Sequence, residues 1–287
     1  MEAYFKIFNI PVSIKSNSPK FLKDFGSIFH YFKVTRSNLD LDDGISFHVS
    51  IDHISTISHG NDIIYQSSNY RYIVEYLEYQ IYNLLIDRLS NYYLIHAGVV
   101  SYNNKAVLLP ARSGGGKTTL IAGLLKNGFR YLTDEIAIIE PRTLMAHPFP
   151  KPLNIKIGSL SLFRDFEPEM ELVNKRDINV KDKIHHVFVN NGSIHPVDKP
   201  IPIKSIIFVQ YDPRADCGLR QISKACTVFE LTKCSFNQYL FNEKGIDLLD
   251  RLVATCECYQ LQFSHLNKAV ELIKSRRAKI ERSLTRL

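Results

Sequence analysis

The stretch "ARSGGGKTTL", residues 111–120, constrains this chain more than any other. Its end matches the phosphate-loop pattern G-x-x-x-x-G-K-[ST], which works only between a strand and a helix. Gly116, Lys117 and Thr118 complete the pattern, and Ala111 stands where the first glycine is usual. That position needs only a small residue as the chain leaves a strand. Gly114, Gly115 and Gly116 supply the close backbone approach to phosphate oxygens. Ahead of the loop, "YLIHAGVVSY" and "KAVLLP" read as two strands, and Asn103-Asn104 suits a two-residue hairpin turn with positive φ. Behind it a helix runs from about Lys117 to Asn127, with Gly128 at its C′ position. The expected site is therefore the head of a helix whose N–H groups face an anion. Its nucleotide-binding residues are Ser113, Gly114, Gly115, Gly116, Lys117, Thr118 and Thr119. Lys117 would reach the β- and γ-phosphates of ATP, and the Thr118 hydroxyl would join the Mg2+ shell.

A nucleotide site does not name a reaction, so the next acidic residues matter. "YLTDEIAII" returns Asp134 and Glu135 just 17 residues after Lys117, which is one helix and one turn later. Asp134 is the candidate general base on an acceptor hydroxyl, and Glu135, with Thr118, the candidate metal ligand. The plain alternative is a pair of solvated turn acids. His96 is the third candidate. With Tyr102 facing Lys105 across the hairpin, paired numbers sum to 207 and His96 falls level with Ala111. A core or capping histidine is the competing reading, and a slip of one residue would turn it to the other face. Lys151 and Lys156, in "KPLNIK", and Arg176, beyond them, are candidates for holding substrate.

The rest of the chain frames this unit. Residues 1–68 read as a small α/β lobe and residues 69–91 as a long amphipathic linking helix. Residues 92–287 read as the main domain. In the lobe, residues 4–14 are strand-like and "PKFLKDFGSIFHYF" is helical. In the main domain, "HPFPKPLNIKIGS" is kept from helix by its prolines. Residues 161–200 are polar and poorly patterned, as in a substrate loop. "IPIKSIIFVQYD" and "CECYQLQF" read as strands, and residues 227–255 as mostly helical. Alternation of strands and helices indicates an α/β fold.

Together, "IHAGVVSYNNKAVLLPARSGGGKTTLIAGLLKNGFRYLTDE" and the following "HPFPKPLNIKIGS" resemble the HPr serine kinase family. The resemblance is to its HPr-kinase-related branch, which includes kinases associated with lasso peptides and other ribosomally made peptides (RiPPs). It spans about 70 residues, a quarter of the chain. It implies a PEP-carboxykinase-like P-loop kinase domain built on a mixed sheet and preceded by a small α/β lobe. It also implies an ATP- and Mg2+-dependent serine kinase acting on a peptide or protein. In that reading Lys117 and Thr118 serve the triphosphate and metal, and Asp134 is the base, assisted by Glu135, with His96 beside them. Two departures stand out. Thr118-Thr119 replaces the Ser followed by Glu that is typical of true HPr kinases, and a later Glu-x-Arg-Gly-x-Gly signature is missing. Both point away from HPr as the substrate and from phosphorylase activity.

Composition narrows the alternatives. The net charge of +7 owes much to the C-terminal "KSRRAKIERSLTRL", which lacks the interleaved aromatics of a nucleic-acid arm. Nucleic acid is therefore not an expected partner. No apolar run reaches the roughly 18 residues of a membrane span. The N-terminus lacks the pattern of a secretory signal. Five cysteines without a framework suggest free thiols in the cytoplasm. A homo-oligomer is compatible with all of this. A small-molecule alcohol kinase, or a nucleotide-binding regulatory protein without transfer activity, would use the same motifs.

Overall fold

The computed structural model describes residues 1–40, 43–156, 170–172, 184–189 and 191–284. They form two compact units, Met1–Ser90 and Asn91–Leu287. Among the described residues no helix is long and apolar enough to cross a membrane.

The first unit contains β1 (Glu2–Ile7), β2 (Ile10–Ser16), α1 (Pro19–Ile28), β3 (Lys33–Val34), β4 (Ile45–Ser50), β5 (Ser55–His59), β6 (Asp62–Ser67) and α2 (Tyr70–Arg88). Its sheet runs β3-β1-β2-β4-β5-β6, with β2–β4 parallel and the other pairs antiparallel. The stretch that reads as one strand over residues 4–14 is in fact a hairpin. The chain reverses at Phe8, whose φ of 56° lies in the left-handed region. Asn9 is a common turn residue, but Phe8 is not one that favours the left-handed region, so the pairing of Ile7 with Ile10 is what reveals the turn. Ser18 caps α1 by accepting from the Phe21 N–H at 3.2 Å, and Pro19 sits where its missing N–H costs nothing. The predicted helix stops at Ile28 and gives way to a 3-10 turn at His30–Phe32. In α2, Ile73, Leu77, Ile81 and Leu85 are buried, and the helix packs on β5 and β6. The helix read as a link between lobes thus lies inside the first unit.

The second unit opens with β7 (Tyr93–Tyr102), β8 (Lys105–Pro110), α3 (Lys117–Lys126), β9 (Arg130–Thr133), β10 (Ile136–Ile139) and β11 (Met145–His147). It continues with β12 (Leu153–Lys156), β13 (Met170–Leu172), β14 (Ile184–Val189), β15 (Ile201–Tyr211) and β16 (Gly218–Gln221). The last elements are α4 (Lys224–Lys233), α5 (Gln238–Phe241), α6 (Glu243–Ala254), β17 (Glu257–Phe263) and α7 (Leu266–Leu284). The main sheet runs β11-β10-β7-β8-β15-β17-β16, with β9 also on β7 and β11 also on β15. It is mixed: β8–β15 and β15–β17 are parallel, and the remaining pairs are antiparallel. The fold is α/β, with a mixed sheet preceded by a small α/β lobe.

Alternation along β7 divides its two faces. Tyr93, Ile95, Ala97 and Val99 enter a core shared with Leu231, Leu248, Leu249, Leu252 and Val253 of α4 and α6. Each such leucine contributes about 1.5–3 kcal/mol by leaving water. The other face, at Gly98, lies against α3. The polar stretch 161–200 departs from its reading as a loop where it is described. β13 and β14 join β12 in a three-stranded antiparallel sheet, with Leu153 opposite Val187. Period-2 patterning is too faint in those short strands to announce them.

Candidate nucleotide site

The phosphate loop leaves β8 at Pro110 and enters α3 at Lys117. Ala111 forms a parallel bridge to Val209 of β15, so the loop's first residue still belongs to the sheet. Ala111 is buried there, and Gly115 is pressed in beside it: a Cβ on Gly115 would stand 3.0 Å from the Arg112 carbonyl oxygen and 3.1 Å from that of Val209. Gly116 caps the helix with φ 84° and ψ 10°, a conformation that costs other residues energy. A Cβ there would also come within 2.9 Å of Tyr211 and Phe263. The Gly115 N–H does not turn toward a ligand, because it donates to the Arg112 carbonyl at 2.9 Å. Among the described residues, no hydrogen bond uses the N–H of Gly114, Gly116, Lys117, Thr118 or Thr119. These are the orphan donors of a helix head, and they carry the dipole's positive end.

The acid pair comes back beside this helix by strand register. β9 and β10 both pair with β7, through Val99↔Thr133 and His96↔Ile136. Both pairs sum to 232, so Gly98 lies opposite Asp134 and Ala97 opposite Glu135. The Ala97 N–H donates to the Glu135 carbonyl at 3.2 Å, as this register requires. Gly98 leaves room for α3: a Cβ there would stand 2.4 Å from the Ile121 Cδ1, which would have to turn away, and 3.4 Å from the Lys117 Cγ. Its absence lets α3 sit down on β7 and brings Asp134 to the first turn of the helix.

Asp134 is buried, at 8% exposure. Its Oδ2 accepts from the Thr118 hydroxyl at 2.6 Å. The Lys117 ammonium donates to the Asp134 carbonyl and stands 3.7 Å from Oδ1. Oδ1 is itself buried and receives no hydrogen bond. Burial raises the Asp134 pKa above the ordinary carboxyl value, opposed by the Lys117 charge and by the Thr118 and Lys117 hydrogen bonds. The sequence pairs Thr118 with Glu135 as candidate metal ligands. The carboxylate that the structure brings to Thr118 is that of Asp134, while Glu135 is half-buried one register position away.

His96 projects from β7 near the same lysine. Its backbone N–H donates to the Cys234 carbonyl at 2.7 Å, and its ring meets Phe236 edge-on at 5.6 Å. Burial, with the Lys117 charge adding to it, lowers the His96 pKa to about 4, so the ring is neutral near pH 7. The hairpin has the expected register, with Tyr102 opposite Lys105 and Ala97 opposite Pro110. The ladder ends at that pair, and His96 lines a cavity together with Ala111.

That cavity has a volume of about 790 Å³ and is walled by the first half of the loop, the end of β15, β16 and α4. The sequence does not announce it, because its walls come from parts of the chain as distant as His96, the loop, β15, α4 and Gln260. One side is held by residues 234–237. Phe236 pairs with Leu94, and buried Asn237 clamps the strand by accepting from the Leu94 N–H at 2.9 Å and donating to the Tyr92 carbonyl at 2.8 Å. An isolated Asn in "CSFNQY" gives no hint of that clamp.

The substrate candidates part company. Lys151 is buried, at 7% exposure, shortly after Phe149, whose N–H donates to the Leu132 carbonyl of β9 at 2.9 Å. Lys156 ends β12 opposite Ile184. Arg176 lies outside the described residues. Among the described residues no group of three or more His, Cys, Asp or Glu side chains is arranged to hold a metal.

No family model and no curated protein matches the chain. Among solved structures it is similar to the HPr(Ser) kinase/phosphatase from Coxiella burnetii. The identity is 11% and the TM-score 0.34, over 66% of this chain and 98% of that one.

Proposed function

We propose that this chain is an ATP- and Mg2+-dependent phosphotransferase of the HPr-kinase-like type, whose acceptor is a serine hydroxyl of a peptide or protein. The resemblance of its motifs extends the reading to a ribosomally made precursor peptide of the lasso type. The observation that carries the proposal is the contact of Lys117, Thr118 and Asp134 at the head of α3. A triphosphate cradle is there joined to a buried carboxylate. Oδ2 of that carboxylate meets Thr118, and Oδ1 is left open to take a proton from an acceptor.

The donors present fit Mg2+. Thr118 Oγ1 and Asp134 Oδ2 are hard oxygens 2.6 Å apart, and Mg2+ ordinarily takes only one or two protein ligands beside substrate phosphates. When bound, the ion neutralises charge on the phosphates. The chain's own residues do the rest. Lys117 leaves its contact with Asp134 to meet the β- and γ-phosphates. Orphan N–H groups of α3 hold the phosphate oxygens. Asp134 Oδ1 accepts the proton of the acceptor hydroxyl as the hydroxyl oxygen bonds to the γ-phosphorus. The bond from that phosphorus to the bridging oxygen breaks, and ADP leaves. Neutral His96 adds no second positive charge beside Lys117.

The test is transfer of label from γ-labelled ATP to serine-bearing peptides, with nucleotide binding measured in parallel. Lys117→Ala is expected to abolish nucleotide binding. Asp134→Asn is expected to keep nucleotide binding and to lower transfer by about 10²–10⁴-fold. Transfer that survives Asp134→Asn would overturn the assignment of the base, and an absence of transfer to any hydroxyl would overturn the kinase reading.

A further inference from the structure

The cavity beside the loop has a chemistry of its own. Ser113, Gly114 and Gly115 form one wall, and His96, which feels the Lys117 charge, forms another. Lys117, Thr118 and Asp134 do not line the cavity; it is joined to their contact through the loop, which runs on from Gly115 by Gly116 to Lys117, and through His96, which feels the Lys117 charge. Phe208, Val209, Ile222 and Phe236 make apolar walls. Four side chains bring full charge: Arg112, Arg220, Lys233 and Glu230. Lys233 and Glu230 neutralise each other at 2.7 Å. Arg112 and Arg220 make no ion pair among the described residues, and Arg220 is held only by the Gln260 side-chain oxygen at 2.9 Å. A cavity with greasy walls and two uncompensated guanidiniums suits a ligand with an apolar body and an anion.

Resting on the kinase reading above, we infer that this cavity is the acceptor pocket and that it selects a serine flanked by acidic side chains, with Arg220 as the specificity-determining residue. Arg112 belongs to the loop and is open to the triphosphate as well. Arg220 comes from β16, outside the loop, and so reports on the acceptor. The volume, about 790 Å³, suits a serine with a few neighbours, not a whole folded domain.

The experiment uses the full chain and two peptides, each with one serine, flanked in one by glutamates and in the other by glutamines. Transfer should favour the acidic peptide by about tenfold in kcat/KM, carried mainly by KM. Arg220→Gln should remove that preference and leave ATP affinity as in the wild type. Arg220→Glu should favour a lysine-flanked peptide instead. Equal use of both peptides, or an equal loss on both after Arg220→Gln with unfolding temperature unchanged, overturns the inference. Weaker ATP binding in Arg220→Gln would assign the cavity to the nucleotide. Direct binding of fluorescent versions of both peptides, with a non-hydrolysable ATP analogue present, separates this inference from the reading beneath it. Selective, Arg220-dependent binding without transfer keeps the pocket and removes the kinase. Transfer without selectivity does the reverse. Free hydroxy acids and phosphorylated alcohols form a third arm, and their preferential use would replace a peptide by a small acceptor.

Discussion

At the scale of residues, the site is a contest between burial and charge. Asp134 lies in a place that disfavours its ionised form, and Lys117 and Thr118 partly restore it. His96 feels burial and the same lysine in one direction, which is why its pKa falls to about 4. This has a measurable consequence for stability. Between pH 6.5 and about 4 the unfolded chain takes up a proton at His96 that the folded chain refuses. The His96 contribution is therefore complete above pH 6.5 and is lost as the pH falls through that window. Asp134 acts in the opposite sense, because a raised carboxyl pKa loses stability as the pH climbs above 3.8. A comparison of His96→Gln with wild type, both carrying Asp134, isolates the histidine. The difference in unfolding temperature between pH 7 and pH 5 should shrink in His96→Gln, and an unchanged difference would place the histidine in solvent.

Between elements, the decisive contact is α3 on β7. The helix approaches closely because Gly98 presents no side chain to Ile121 and Lys117. Gly98→Val would place a branched Cβ 2.4 Å from the Ile121 Cδ1. Overpacking of this kind costs about 1–3 kcal/mol. The expected outcome is a lower unfolding temperature together with weaker nucleotide binding, since a displaced α3 carries the loop with it. Stability loss with unchanged nucleotide affinity, measured calorimetrically, would show that the loop is indifferent to how α3 is seated. The hairpin β7–β8 was open to inspection, because Asn103-Asn104 fixes its register through local turn geometry, with φ of 48° and 54°. The β1–β2 hairpin was hidden, since Phe8 adopts its left-handed conformation against its own preference.

The whole molecule is two units, and the loop, Asp134, His96 and the cavity all belong to Asn91–Leu287. The core between β7 and helices α4 and α6 is drawn from that unit alone. A chain of residues 91–287 is therefore expected to unfold in one cooperative transition and to bind nucleotide. Its thermal melt and its nucleotide affinity check this, and a fragment without a cooperative melt would show that Met1–Ser90 is required for folding.

What could be read from the sequence was local. A strand, a tight loop, a helix head and a hairpin register each depend on residues a few positions apart, so turn chemistry and apolar spacing reveal them. The nearness of an acidic residue to Lys117 was also open to inspection, because one helix and one strand return the chain to the same edge. Which acid meets Thr118 was not, because that depends on a β7 register in which Asp134 faces Gly98 and Glu135 faces Ala97. Nor was the cavity, whose walls at residues 110–115, 208–211, 220–236 and 260 meet only after β8, β15 and β17 align in parallel. Parallel pairing joins segments through crossovers of many residues, and no short-range pattern encodes which strand lies next to which.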